Sequence, residues 1–93
     1  PSSEAISEFQ LEQNYPNPFN PNTKIRFRIS DFGFVSLKIF DVLGNEIATL
    51  INEEKPMGNY EVEFITNDKS SGIYFYQLTA GSFTDTKKMI LLR

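Results

Sequence analysis

The sequence predicts an all-β protein, a seven-stranded antiparallel β-sandwich, and three observations carry that prediction. Apolar and polar residues alternate with a period of two through most of the chain. Gly33, Gly44, Gly58, Gly72 and Gly81 all fall between the alternating runs, where the chain must turn. No segment sustains the 3.6-residue period of an amphipathic helix.

The first strand, Glu8 to Glu12, is short and places Phe9 and Leu11 on one side. Asn14 to Thr23 follows, with Pro16, Pro18 and Pro21 fixing φ and removing backbone donors. That excludes a helix or a central strand. Tyr15 and Phe19 point instead to an ordered turn whose rings close one end of the sandwich. Thr23 to Ser30 is the clearest strand, with Ile25, Phe27 and Ile29 inward and Lys24, Arg26 and Arg28 outward. Phe34 to Asp41 turns Val35, Leu37 and Ile39 inward, and Glu46 to Ile51 is a weaker strand. Asn59 to Thr66 buries Tyr60, Val62 and Phe64 and exposes Glu61 and Glu63. Ile73 to Ala80, with Tyr74, Tyr76 and Leu78 inward, and Phe83 to Leu92 flank Gly81-Ser82, a Gly-first dipeptide suited to a two-residue type II′ hairpin.

Charge suggests the sheet order. With strand 23–30 between strands 8–12 and 59–66, its three cations lie beside Glu8 and Glu12 on one flank and Glu61 and Glu63 on the other, each pair contributing about 0.2–1 kcal/mol. The order first, second, fifth is that of one sheet of immunoglobulin-like folds and leaves four, three, six, seven for the other. The second sheet then carries a partly apolar outer face, with Phe34, Phe40, Ile73, Phe75 and Ile90 as a candidate docking or self-association surface and a weak homodimer as its simplest consequence. The same register turns Asp85 and Lys87 inward, so they lie at an open end of the sandwich or a bulge flips the last strand.

A chain of 93 residues holds one core at most. Net charge is −3, with 9 Lys plus Arg against 12 Asp plus Glu, which leaves no electrostatic footprint for nucleic acid. No apolar run approaches the roughly 20 residues of a membrane-spanning helix. With no Cys and no His, disulfides, thiolate nucleophiles, the usual general base and most zinc sites are excluded, and no cofactor is implied. Glu61 and Glu63 have Cα atoms about 6.6 Å apart along a strand, a spacing compatible with a glycosidase pair. An open face with basic neighbours would raise neither pKa, so surface pairing is the preferred reading. Pro1-Ser2-Ser3-Glu4-Ala5 has neither an initiator Met nor a signal-peptide pattern, so the chain is expected to be a piece of a longer one.

Five blocks taken in order carry a resemblance. They are Asn14-Tyr15-Pro16-Asn17-Pro18-Phe19-Asn20-Pro21, Val35 to Gly44, Pro56-Met57-Gly58-Asn59-Tyr60, Ser71-Gly72-Ile73-Tyr74-Phe75-Tyr76, and Lys87 to Arg93. Together, over about residues 11–93, they resemble the type A C-terminal sorting domain of the type IX (Por) secretion system. The resemblance implies a non-catalytic immunoglobulin-like signal at the C-terminus of a secreted bacterial protein, with residues 1–10 as the end of a linker and the start of the first strand. It further implies an upstream cargo in cis, passage from periplasm across the outer membrane to the surface or medium, and two partners: the translocon and a sortase-like peptidase that removes the domain. Pro56, Gly58 and Tyr60 match the family's Pro-x-Gly-x-Tyr block, and Gly72 and Tyr74 its Gly-x-Tyr block. Lys88, Met89, Ile90, Leu91, Leu92 and Arg93 match its terminal signal, with Arg where the family more often ends in Lys. The glycines are expected at turns, the tyrosines in the core with hydroxyls near the rim, and the last strand as an accessible edge or terminus for a receptor. The rival reading is an immunoglobulin-like spacer or carbohydrate-associated module; the absence of Trp weighs against the sugar-binding form.

Overall fold

In the computed structural model, which describes residues 8–93, seven antiparallel strands build two sheets. They are β1 (Gln10–Leu11), β2 (Asn22–Ile29), β3 (Gly33–Phe40), β4 (Glu46–Lys55), β5 (Gly58–Ile65), β6 (Gly72–Ala80) and β7 (Phe83–Leu91). The sheets run β1-β2-β5 and β4-β3-β6-β7, the order that charge and alternation predict, and no helix occurs among the described residues. The expected linker, residues 1–10, lies mostly outside the described residues.

Alternation determines what is buried. Ile25, Phe27 and Ile29 of β2, Val35, Leu37 and Ile39 of β3, and Tyr76 and Leu78 of β6 are all at most 2% exposed. Each such side chain contributes about 1.5–3 kcal/mol relative to leaving it in water, against the entropy of ordering it. On β5, Phe64 is buried while Tyr60 and Val62 are only partly so, because β5 is an edge strand. The Gly81-Ser82 loop is as short as predicted: Ala80 pairs with Phe83, and Gly81 has φ +63°, which a side chain would disfavour.

Three local expectations change, and one open alternative is resolved. β1 has two residues rather than five: past Leu11 the chain keeps only broken contact with β2, through Glu12 N–H to the Arg26 carbonyl and an isolated bridge between Tyr15 and Lys24, before Phe19 meets β7 of the other sheet. β4 runs on to Lys55, and its pairing with β3 slips between Leu37 and Lys38 and again between Ile39 and Phe40. Those slips leave adjacent Ile47-Ala48 and Leu50-Ile51 half-buried, which erases the period-two signal there. The predicted charge ladder reduces to one ion pair among the described residues, Arg26–Glu61 at 3.1 Å. Arg28 stands between Gln10 and Asn59 and donates to the Asn59 side chain, and Lys24 is in register with Glu63 without an ion pair. Finally, β7 pairs with β6 without a bulge, so Asp85 and Lys87 do share the inner side with Met89 and Leu91. They lie where the opposing sheet, ending in its two-residue β1, gives little cover; their side chains stay 41% and 31% exposed and approach each other to 3.9 Å.

Candidate recognition site

The two Gly-x-Tyr blocks turn out to be one device used twice. Gly58 opens β5 and Gly72 opens β6. Two residues on, Tyr60 donates its hydroxyl to the carbonyl of Pro56 and Tyr74 donates to that of Ser70 at 2.6 Å, each four residues upstream. A tyrosine bonding back across the turn that precedes its strand is the corner device of immunoglobulin-type sandwiches. Tyr60 also stacks on Phe27 with centroids 5.4 Å apart and receives the Lys55 ammonium 4.9 Å from its centroid. Its ring folds back over Gly58, where an added Cβ would meet it at 3.7 Å, an ordinary contact. Pro56 itself is exposed. The blocks therefore pin turns, with Tyr74 buried and Tyr60 half-buried.

The terminal segment divides by parity. Met89 and Leu91 are fully buried, while Lys88, Ile90 and Leu92 alternate with them on the outer side, Leu92 at 55% exposure. Arg93 is exposed; its amide donates to Ser71 Oγ at 2.8 Å and its guanidinium to the Asn67 carbonyl. The expectation of an open strand edge along this segment is corrected. The Asn/Pro-rich stretch lies against that edge as a strap: Gln13 Nε2 donates to the Lys88 carbonyl (2.7 Å) and Ile90 N–H to Asn17 Oδ1 (2.9 Å). Phe19 N–H donates to the Ile90 carbonyl (2.9 Å) and Leu92 N–H to the Phe19 carbonyl (3.0 Å).

The strap is anchored at both ends. Phe19 is 2% exposed and packs 6.3 Å from Phe64. Buried Asn14 donates to Pro16 O and Thr23 Oγ1 and accepts from Gln13, so its amide is satisfied on both sides. Tyr76 donates its hydroxyl to the Glu12 carbonyl (2.6 Å) and accepts from Asn14 N–H (2.7 Å). Burial, outweighing that N–H donor, pushes the Tyr76 hydroxyl up to about 12. Sequence reading placed the Asn/Pro stretch at one end of the sandwich but gave no hint of its partner, because the residues it meets on β7 lie more than 70 positions away.

The candidate outer-face residues separate into two places. Phe40 pairs with Phe75 across β3 and β6, and Ile73 with Ile90 across β6 and β7, so these four form one group near the C-terminal end of β7. Phe34 does not join them; it sits at the other end of β3, near the Gly81-Ser82 loop. Two residues that the sequence reading passed over extend the group. Val42 and Leu43, in the turn after β3, are 62% and 82% exposed. The signal for them was present, since aliphatic residues at the tip of an Asp-x-x-Gly turn are not required by the turn.

Glu61 is tied to Arg26 on an exposed face, and no group of three or more potential metal ligands occurs among the described residues. Fold and surface together define a module of immunoglobulin-like architecture whose distinctive features are a turn-pinned sandwich and a partly apolar end. The comparisons make this specific. The family model of the secretion system C-terminal sorting domain matches residues 13–92, so the chain belongs to that family, the sorting signals of the type IX system. Such domains are non-catalytic in general, and membership implies export to the cell surface or secretion. No curated protein matches the chain. Among solved structures, dimeric latent PorU from Porphyromonas gingivalis aligns with a TM-score of 0.67 at 18% identity, covering 97% of this chain and 10% of that one. That likeness shows the fold, and the chain spans about a tenth of the PorU chain.

Proposed function

We propose that this domain delivers an attached cargo from the periplasm across the outer membrane by engaging the type IX translocon, and that a sortase-like peptidase then removes it. The domain carries no catalysis of its own in this reading. The observation that supports it most is the division of the terminal segment. Met89 and Leu91 hold the strand in the core, while Lys88, Ile90, Leu92 and Arg93 are displayed on a folded surface. With the backbone edge of Lys88–Leu92 occupied by the strap, a receptor reads side chains there rather than adding a strand. The test is a reporter protein fused ahead of residues 1–93. It is expected on the surface or in the medium of a host with a working type IX system, and in the periplasm of the same host lacking the translocon. Equal export from both hosts would refute the proposal.

A further inference from the structure

The turn after β3 is more constrained than its exposed position requires. Asp41 Oδ1 accepts the amides of Leu43 and Asn45, both at 2.9 Å, and Oδ2 accepts from Asn45 Nδ2 at 3.3 Å. The backbone closes the same turn through Asp41 N–H to Asn45 O (3.0 Å) and Gly44 N–H to Asp41 O (3.1 Å), with Gly44 at φ +86°. These donors, the Asn45 amide first, hold the Asp41 carboxyl below its ordinary range. Every bond in the turn is made by Asp41, Gly44, Asn45 or the backbone, so Val42 and Leu43 could be any polar pair without loss to it. They are instead the two aliphatic side chains left in solvent at the tip.

Their position continues the apolar group. The β3–β6 register ends at Phe40↔Phe75, so the turn that carries Val42 and Leu43 leaves β3 at the same end of the sheet as Ile73, which pairs with Ile90. The next row is Phe40, Phe75 and Lys88. The β7 side of this surface carries net positive charge: Lys88 is in no ion pair among the described residues, and Arg93, whose hydrogen bonds go to neutral partners, shares its field with the Asp68–Lys69 ion pair. We infer that Val42 and Leu43 form a rigid apolar knuckle that, with Ile73 and Ile90 and the cations Lys88 and Arg93, is the surface docked by an apolar segment of the export machinery bearing carboxylates on its β7 side. Charge complementarity and continuity with the outward terminal residues single out that partner over a second copy of this cationic rim, which would face like charge. A turn fixed before contact pays little ordering entropy on binding.

This inference rests on the sorting function, and the experiment separates the two. Val42→Ser/Leu43→Ser is introduced in the reporter fusion to residues 1–93, with Phe32→Ser/Phe34→Ser as the control, Phe32 in the β2–β3 turn and Phe34 at the start of β3 both being exposed at the opposite end. Purified variants are melted in parallel. The knuckle variant is expected to keep its Tm within a few degrees and to lose at least about tenfold in export, while the control exports normally. Lys88→Glu/Arg93→Glu is expected to lose export as well. Normal export of the knuckle variant, or retention of export on charge reversal, overturns the inference while leaving the sorting function standing. Failure of the unaltered fusion to leave the cell refutes the sorting function itself. A concentration-dependent dimer abolished by Leu43→Ser with export unchanged also overturns the inference, in favour of self-association.

Discussion

β7 pairs with β6 along its whole length, yet its two halves differ in almost every other respect. From Phe83 to Lys87 the inner side carries Phe83, partly buried and stacked on Phe9, and then Asp85 and Lys87, half exposed and weakly paired, with little of the opposing sheet above them. From Lys88 to Leu91 the inner side carries Met89 and Leu91, fully buried, and the outer edge is bonded to the strap. The same backbone ladder thus serves a loosely covered rim and a clamped core strand. The lesson is that ladder hydrogen bonds do not by themselves set local stability; what covers the strand does.

Substitutions along β7 should break or sharpen this contrast. Met89→Ala is expected to cost about 2–5 kcal/mol, the range for emptying a packed aliphatic site, read as a drop in the urea midpoint at constant slope. Removing residues 88–93 outright therefore confounds unfolding with loss of signal. Tyr76→Phe, which leaves the Glu12 carbonyl and the Asn14 amide without their partner, is expected to cost about 1–3 kcal/mol in the same titration. Asn17→Ala strips the acceptor from Ile90 N–H, and about 1 kcal/mol is expected, with faster hydrogen exchange at Ile90 and no change at Thr86. Lys87→Ala in the uncovered half is expected within about 0.5 kcal/mol of the parent.

Alkaline titration gives an independent check on the strap. The folded Tyr76 hydroxyl titrates at about 12 against 10.0 for a free tyrosine. Its contribution to stability is therefore complete below pH 10 and is lost as pH rises from 10 toward 12. Tyrosinate absorbance should show the Tyr76 ionisation late, merging with global unfolding. Tyr76→Phe should remove that late step.

Much of this was legible in the chain. Alternation alone placed Ile25, Phe27, Ile29, Val35, Leu37, Ile39, Tyr76 and Leu78 inside, because a period of two has one solution once one face must be dry. The sheet order followed from charges on β2 and β5, although only Arg26–Glu61 makes the contact. What local pattern could not reach were long-range partners. Asn17 looks like any turn asparagine until Ile90 is beside it, and the slips in β4 scramble the pattern meant to reveal that strand. In the candidate site, Gly58, Tyr60, Gly72 and Tyr74 were visible as motif residues, while their shared bond to a carbonyl four positions back was not. Phe34 was grouped with Phe40 by face alone; parity says which side a residue lies on and nothing of how far along.

The central claim is that export depends on side chains displayed by the covered half of β7 and not on strand integrity in general. It is tested by one paired measurement on the reporter fusion. Lys88→Glu/Ile90→Ser/Leu92→Ser alters only outward residues of the covered half, and Thr84→Glu/Thr86→Glu alters outward residues of the other half. With both variants folded by near-unchanged Tm, the first should fall at least about tenfold in exported reporter and the second should match the parent. Equal export from the two would contradict the account.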